Sequence, residues 1–501
     1  MSNRPPPYRI ALYCLLTLAL VRLWVLPLPS SFWVDEMVTA FVVHFGPQHP
    51  SLAAAPQVAE SIYYALPKAA ENVFGFSETV YRVPSTLLMA VALYLIFRLA
   101  KRLIHPAAGW FAVFACLTMR LFNYQADDAR PYALGTCVAC AAVWFLVRWF
   151  DDAKWRDAFL FVIFAALLWR VHLIYWPFYL VFIGYATVRL MTSQTSITWL
   201  RASLVFLAVG ATLVPVALHA LTILREAKAH VIVDHPPRLL ELTRVLKFAL
   251  VGGCLAGASL LNNFFEWPRR LRGPHRVTFA PHVFALVIGW WLVHPLVLFA
   301  FSWLTGNSVF VDRYLSLALP GAALAGTLAA AYFLPEQHWH AAAVGLGAGV
   351  VLFMGNIGQL RPLHDNSNWR KASETVNRLH LEAATPIIFP SPFIEARSPV
   401  WHPNFPMPGF LSSHILTYPI DGRAILFPFE TSPEAEAFAD QLARGPITQA
   451  GRVIIVGGDA NAHLWQSWFS KQAALNHWNA KRLGPFGDVD AVMMERSIGQ
   501  P

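Results

Sequence analysis

Apolar stretches of about twenty residues follow one another with short breaks from residue 8 to residue 360. That repetition constrains the fold more than any motif in the chain. A segment of this kind is long enough to cross a bilayer as a helix, and the chain offers about eleven of them. In lipid every backbone N–H and C=O must be satisfied within the protein, which leaves helices or closed barrels. The stretches run continuously and do not alternate with period two, so a barrel is excluded. Composition agrees. Apolar residues make up 56% and charged residues 13% of the 501 positions, whereas a soluble domain carries about a quarter charged residues. Mean hydropathy is +0.46. A disordered chain, a nucleic-acid-binding protein and a disulfide scaffold are excluded on the same grounds. The expected fold is a polytopic α-helical membrane protein.

Charge sets the orientation. The net charge of +9 needs no anionic partner, because cytoplasmic loops concentrate Lys and Arg. With the N-terminus inside, the inner loops hold Arg98, Lys101 and Arg102, then Arg148, Lys154 and Arg156, then Arg189 and Arg201, then Arg269, Arg270, Arg272 and Arg276. Outer loops hold fewer, for example Arg130 and Arg313. An odd number of spans puts the C-terminus outside. Arg4 and Arg9 precede the first apolar stretch, and Pro27, Pro29 and Phe32 offer no small-residue cleavage site, so that stretch reads as an uncleaved first helix. The stretch from 157 to 191 divides least clearly, since Arg170, His172 and Pro177 interrupt it. Cys14, Cys116, Cys137, Cys140 and Cys254 all lie in apolar runs, which argues against disulfides; the Cys137–Cys140 CxxC falls on an expected membrane helix, away from any second ligand pair.

Two segments break the pattern. The first is a long outer loop, 30–81, in which Val58, Ile62, Leu66, Ala69 and Val73 recur at helical spacing among Glu60, Lys68 and Glu71. An amphipathic helix on the membrane surface is expected there. The second is the tail. Residues 1–360 read as a transmembrane catalytic domain and 361–501 as a small extracytoplasmic α/β domain. In that tail Pro386 to Phe389, Arg452 to Val456 and Asp490 to Met494 read as strands, and Ser432 to Ala443 as a helix with Pro433 in its first turn. Gly457 to Asn461 reads as a turn that caps the next helix.

Charged residues at a membrane boundary need a reason. Phe32 to Glu36, FWVDE, places two carboxylates just after the first span. Neighbouring helix positions diverge by about 100 degrees, so Asp35 and Glu36 need not face one substrate. One could be a general base or metal ligand while the other binds or orients. Ala126 to Tyr132, ADDARPY, gathers Asp127, Asp128, Arg130 and Tyr132 before a span. Arg130 could clamp a phosphate with its planar fork, or pair with Asp128. Val309 to Pro320 places Asp312 and Arg313 in the same position before another span. Arg82, Arg170 and His172 also fall near the outer boundary. Together these turns could converge on an anionic, lipid-linked substrate at the outer leaflet.

FWVDE, then Phe74 to Leu87 (FGFSETVYRVPSTL), then DDARPYAL, then VFVDRYLSLALP, in that order and on one membrane face, resemble the bacterial GT-C glycosyltransferases. The nearest branch is the protein O-mannosyltransferase-like group, which includes the lipid A aminoarabinose transferases. Asn368 to Asn377, NWRKASETVN, is similar to the family's post-membrane segment. The resemblance covers roughly residues 8 to 380 and implies a GT-C-like fold. It implies an enzyme that moves a hexosyl or pentosyl group from a polyprenyl-phosphate donor to a lipid, glycan or protein acceptor. The setting it implies is the bacterial inner membrane, with the catalytic face and the tail periplasmic. It places catalysis at Asp35 with Glu36 beside it, donor-phosphate binding at Arg130, Arg313 and Arg82, and an orienting or metal-binding part at Asp128 and Asp127. Tyr132, Tyr63, Tyr64 and His172 are the expected substrate contacts. Many relatives carry a His-Pro-Pro-like element before the paired tyrosines; here Glu60 and Ser61 precede Ile62, Tyr63 and Tyr64.

The chemistry fits those residue types. Departure of a phosphate from an anomeric carbon develops oxocarbenium character. A carboxylate on the opposite side takes the acceptor's proton, and arginines meet the charge that accumulates on phosphate. One direct attack inverts the anomeric centre. Two carboxylates and a phosphate could hold magnesium or manganese, or the arginines could act without a metal. The alternative is a polytopic transporter or lipid flippase. It would place acids near mid-span and show an inverted repeat, whereas these acids lie in outer loops.

Overall fold

The computed structural model describes residues 7–56, 58, 60–226, 236–265, 278–306, 308–355 and 362–497. The helices in chain order are α1 (Pro7–Leu20), α2 (Val34–Phe45), α3 (Ala65–Phe74), α4 (Glu78–Leu103), α5 (Gly109–Leu117), α6 (Arg120–Tyr124) and α7 (Tyr132–Asp152). There follow α8 (Trp155–Val171), α9 (Tyr179–Met191), α10 (Trp199–Glu226), α11 (Leu239–Val245), α12 (Phe248–Phe265), α13 (Pro281–Thr305), α14 (Ala318–Ala330) and α15 (Trp339–Phe353). The chain divides into two compact units. The first comprises Met1–Leu28, Ser61–Leu66 and Arg82–Pro362; the second comprises Pro29–Glu60, Pro67–Tyr81 and Leu363–Pro501. The tail thus forms one unit with most of the long first loop.

The first unit is the helical one. Among the described residues six segments are long and apolar enough to cross a membrane: Tyr8–Val25, Glu78–Leu103, Tyr132–Asp152, Leu173–Met191, Trp199–Arg225 and Pro281–Thr305. The α11 and α12 helices, bent by 45° at their junction, make a seventh if taken as one span. The other expected spans among these residues are shorter helices. The stretch 106–123 breaks into α5 and α6 because Met119 adopts extended backbone (φ −93°, ψ 115°). The α8, α14 and α15 helices have 17, 13 and 15 residues. Buried Leu, Val, Phe and Ala side chains make one continuous core through these helices. The α14 helix lies close to α13, and a Cβ on Gly321 would stand 2.5 Å from the Trp291 backbone nitrogen, so only glycine permits the approach. At the basic loops, Arg102 pairs with Asp151 (2.7 Å) and Asp152 (2.9 Å), and Arg148 with the fully buried Asp157 (3.2 Å). All five cysteines are unbonded.

The second unit is built on a five-stranded sheet: β1 (Pro386–Pro390), β2 (Arg423–Phe427), β3 (Arg452–Gly458), β4 (Trp478–Arg482) and β5 (Val489–Arg496), in the order β2-β1-β3-β5-β4. Strands β2, β1 and β3 are parallel; β5 runs antiparallel to both β3 and β4. The three expected strands are β1, β3 and β5, and β1 is buried along its whole length. The sequence reading missed β2 and β4; the β4 side chains are mostly exposed, so no apolar run marks it. Helix α16 (Trp369–Asn377) precedes β1, while α17 (Ser413–Thr417) and α18 (Pro433–Leu442) run between the strands. Ser432 caps α18 by accepting from the Ala435 N–H at 3.2 Å. Helix Asp459–Ser470 starts directly at Gly457 to Asn461.

The surface helix expected across 58–73 is shorter than its periodicity suggested. Val58 and Glu60 lie in turns, while residues 57 and 59 fall outside the described residues. Ser61 accepts from the Tyr63 N–H at 3.2 Å and starts a 3-10 turn, Ile62–Tyr64, which leads into α3. Val73 and Phe74 at the end of α3 are exposed.

Candidate functional site

In the first unit, the ADDARPY turn is built by local backbone bonds. Asn123 donates to the carbonyls of Leu117 (2.8 Å) and Met119 (3.2 Å) and accepts from Trp24 Nε1 (3.0 Å), which fixes α6. A 3-10 turn, Gln125–Asp127, follows, and Thr86 Oγ1 of α4 donates to the Ala126 carbonyl at 2.7 Å. Asp128 is extended, and Pro131 stands at the entrance of α7. Asp127, Asp128 and Arg130 are all buried. Three ionisable groups in one buried turn are expensive to desolvate, so a neutralising arrangement is required around them.

The DRY turn is a second short 3-10 segment, Asp312–Leu315. Asp312 is exposed, Arg313 is half-buried with Cζ 5.5 Å from the Tyr314 ring centroid, and Tyr314 is buried. His294 of α13 meets the Tyr314 carbonyl at 3.0 Å. The two turns share one aromatic cluster. The Tyr132 ring lies 6.0 Å from His172 and 6.2 Å from Tyr314, and His172 lies 5.1 Å from Tyr314 and 5.5 Å from Tyr175. Arg130 and Arg313 both act electrostatically on His172. Three separated segments therefore supply Arg130 with Tyr132, His172, and Arg313 to one cluster. Gly135 makes this possible on α7: a Cβ there would stand 2.3 Å from Tyr175 Cε2.

The remaining expected residues of this unit surround the same helices. Tyr63 and Tyr64 are buried, with Tyr63 Oη 3.2 Å from Ser85 Oγ. Ser61 Oγ donates to the Val171 carbonyl at 2.6 Å, which ties their segment to the residue before His172. Arg82 is fully buried and donates from Nη1 to the Leu28 carbonyl (2.9 Å) and, more weakly, to that of Pro27 (3.5 Å). It thus holds the end of the first span, a task its sequence position did not reveal.

In the second unit, FWVDE forms the entrance to α2. Asp35 and Glu36 lie in its first turn, where the helix dipole favours negative charge. Glu36 is fully buried, and its Oε2 accepts from the Trp33 N–H at 3.3 Å, closing the helix start. Asp35 is half-buried. The approach to this turn is held by residues that sequence reasoning passed over. Tyr418 Oη accepts from the Phe32 N–H at 2.8 Å and donates to Glu78 at 2.8 Å. Arg370 of the NWRKASETVN segment donates to the Pro29 carbonyl (2.7 Å) and pairs with Glu78 (2.9 Å). Ser30 Oγ accepts from the His364 N–H at 3.2 Å. Burial, with the Glu78 carboxylate beside it, pushes the Tyr418 hydroxyl well above its ordinary range, so it stays a donor. Phe32, Phe76 and Tyr81 stack edge to face around the same segment. Arg370 and Glu78 fall in two segments that the sequence singled out, NWRKASETVN and FGFSETVYRVPSTL, whereas nothing in the sequence marked Tyr418.

One further polar group in this unit has ligand-like chemistry. Asp459, His463 and Asp490 present atoms within 4.8 Å of one another. Arg482 already lies between the carboxylates, with Nε 2.5 Å from Asp490 and Nη2 2.9 Å from Asp459. The guanidinium supplies the counter-charge that a cation would bring.

Residues 62–216 match the family of dolichyl-phosphate-mannose-protein mannosyltransferases, a stretch that holds Tyr63, Arg82, Asp128, Arg130 and His172. The structure superposes on crystallised ArnT from Cupriavidus metallidurans bound to undecaprenyl phosphate, with a TM-score of 0.51 and 10% identity over 98% of this chain and 99% of that one. The chain therefore shares the fold of that ArnT. The apo form of the same ArnT gives a TM-score of 0.52 at 11% identity, covering 97% and 98% of the two chains. No curated protein matches this chain by sequence. The structural likeness extends through the sheet-bearing tail, which no recognised motif covered.

Proposed function

We propose that this chain is a multi-pass membrane glycosyltransferase that passes a sugar from a polyprenyl-phosphate donor to an acceptor at the periplasmic face of the inner membrane. The observation that carries the reading is that Arg130 and Arg313, from separate loops, both act electrostatically on His172, whose ring packs with those of Tyr132 and Tyr314. Two arginines from separate loops beside aromatic rings suit a phosphate next to a sugar: the guanidiniums take the charge and the rings take the apolar face of the pyranose. The family match and the likeness to a protein crystallised with undecaprenyl phosphate support the same donor class.

In this reading Asp35 is the general base. It removes the acceptor hydroxyl proton as the oxygen attacks the anomeric carbon, and the phosphate departs toward Arg130 and Arg313. The attack inverts the anomeric centre. Glu36, buried and bound to the Trp33 N–H, positions the turn that carries Asp35. Arg82 belongs to the same donor-phosphate group in this reading, while its Nη1 also holds the Leu28 carbonyl. Tyr63, Tyr64, Tyr132 and His172 contact substrate. Asp127 and Asp128 either orient the reacting groups or hold a divalent cation. Chelation separates those roles: loss of turnover restored by one divalent ion assigns the cation, and unchanged turnover assigns orientation.

The direct test uses the purified chain in nanodiscs with labelled polyprenyl-phosphate sugars and an envelope extract. The reading predicts release of polyprenyl phosphate together with label in a lipid, glycan or protein fraction. Translocation of the donor without cleavage of its sugar–phosphate bond would overturn it.

A further inference from the structure

Far along α4 from the turns described above, the first unit holds a cavity of about 400 Å³, lined by the start of α1, the end of α4, the start of α5 and the entrance to α15. Arg9 and Lys101 line it together with His105 and His340. The carboxylate lining it is Glu336, which is 88% exposed and 4.0 Å from His105 Nε2. Arg9 and Lys101 form no ion pair among the described residues. Both are solvent-exposed, so their charge alone needs no ligand, but two cations lining one cavity together favour an anion there.

The positions of the residues narrow the class. Arg9 and Tyr13 are four residues apart on α1, and Phe97 and Lys101 are four apart on α4, so each pair shares a helix face. Both helices are candidate spans, and Arg9 and Lys101 lie at their ends. On each helix a cation therefore stands at the membrane boundary with an aromatic ring one turn deeper. The rings are joined across the cavity: Trp110 meets Tyr13 edge-on at 5.0 Å and Phe97 at 5.5 Å, and Lys101 Nζ stands 5.4 Å from the Phe97 centroid. Tyr8 packs on His340 at 4.3 Å at the polar end. A bare phosphate would leave the aromatic wall unused. A phosphodiester with acyl chains uses both ends.

We propose that this cavity is a binding site for an anionic phospholipid, its phosphate between Arg9 and Lys101 and the first part of its chains against Tyr13, Phe97 and Trp110. The site is separate from the Arg130–Arg313 cluster and does not depend on the glycosyl-transfer reading. It lies at the end of the bundle that charge asymmetry assigns to the cytoplasm, where anionic headgroups and basic side chains attract.

Native mass spectrometry of the full-length detergent-solubilised chain tests this by titration with phosphatidylglycerol, with phosphatidylcholine and with inorganic phosphate. Wild type should retain phosphatidylglycerol preferentially. Arg9→Gln/Lys101→Gln should lower that affinity roughly 10- to 30-fold, as expected for two cations at a membrane surface. Tyr13→Ala/Trp110→Ala should weaken lipid retention without creating a preference for phosphate. Lys154→Gln/Arg156→Gln, on another basic loop, should change neither. Thermal unfolding checks that each variant is folded. An unchanged lipid preference in the Arg9/Lys101 variant overturns the proposal. So does displacement of the lipid by inorganic phosphate at equal concentration, or an equal loss in the Lys154/Arg156 variant.

Discussion

Replacing Tyr418 by Phe removes one oxygen that serves two partners, and its cost can be worked from the structure. Phe32 is fully buried, so its N–H, now bonded to Tyr418 Oη at 2.8 Å, finds no water when the hydroxyl is gone. An orphaned buried donor costs about 1–3 kcal/mol. Glu78 also loses a bond but keeps Arg370 at 2.9 Å, so that loss falls at the low end. The segment entering α2 should therefore open about 2 kcal/mol more easily, or roughly 30-fold in its local equilibrium. Hydrogen exchange read on peptides spanning residues 31–38 measures this, and unfolding of the whole protein is not required. Exchange there should accelerate about 30-fold while peptides from α7 and α13 stay unchanged. Because Asp35 stands in the first turn of α2, turnover should fall with little change in donor affinity. Unaltered exchange over residues 31–38 would refute the view that Tyr418 holds the FWVDE turn.

The other expectations are more compact. Gly135→Ala places a methyl 2.3 Å from Tyr175 Cε2, which should destabilise the chain by about 1–3 kcal/mol and loosen the His172 cluster; thermal unfolding and donor titration check it. Arg130→Lys and Arg313→Lys each keep the charge but lose the planar fork, so turnover should drop about 10²-fold or more in each in a donor-cleavage assay. His414 lies buried between Trp369 and Phe389, 5.3 and 5.8 Å away, and burial pushes its imidazole down to about 3. The unfolded chain takes up that proton near pH 6.5, so stability is full above pH 6.5 and falls as the pH drops toward 3. At pH 5 the loss is about 2 kcal/mol, and His414→Leu should flatten that dependence in unfolding measured between pH 7 and 4.

Much of this molecule could be read from its sequence because lipid imposes simple rules. Unbroken apolar runs announced the long spans, and Pro386 to Phe389 and Arg452 to Val456 announced the buried centre of the sheet. Helix length was harder to see: apolar content alone does not reveal that Met119 turns extended and splits 106–123. The site was legible where charge stood in short turns before spans, as at Arg130 and Arg313. It was illegible where a residue acts through the backbone of a distant segment. Tyr418 reaches Phe32 across 386 positions, and Arg370 reaches Pro29 across 341. Tyr418 carries no local signal, and the NWRKASETVN segment that holds Arg370 does not say what the arginine reaches. Arg82 shows a third limit, since an arginine at a membrane boundary can equally bind phosphate or hold carbonyls, and the sequence does not separate the two.

The most direct measurement compares purified Asp35→Asn with wild type in nanodiscs, reading both donor binding and sugar transfer. The side chains are nearly isosteric, so the helix start should survive while the base is lost. The account predicts donor affinity within about twofold of wild type and transfer reduced by about 10² or more. Transfer at the wild-type rate from the Asp35→Asn enzyme would contradict it.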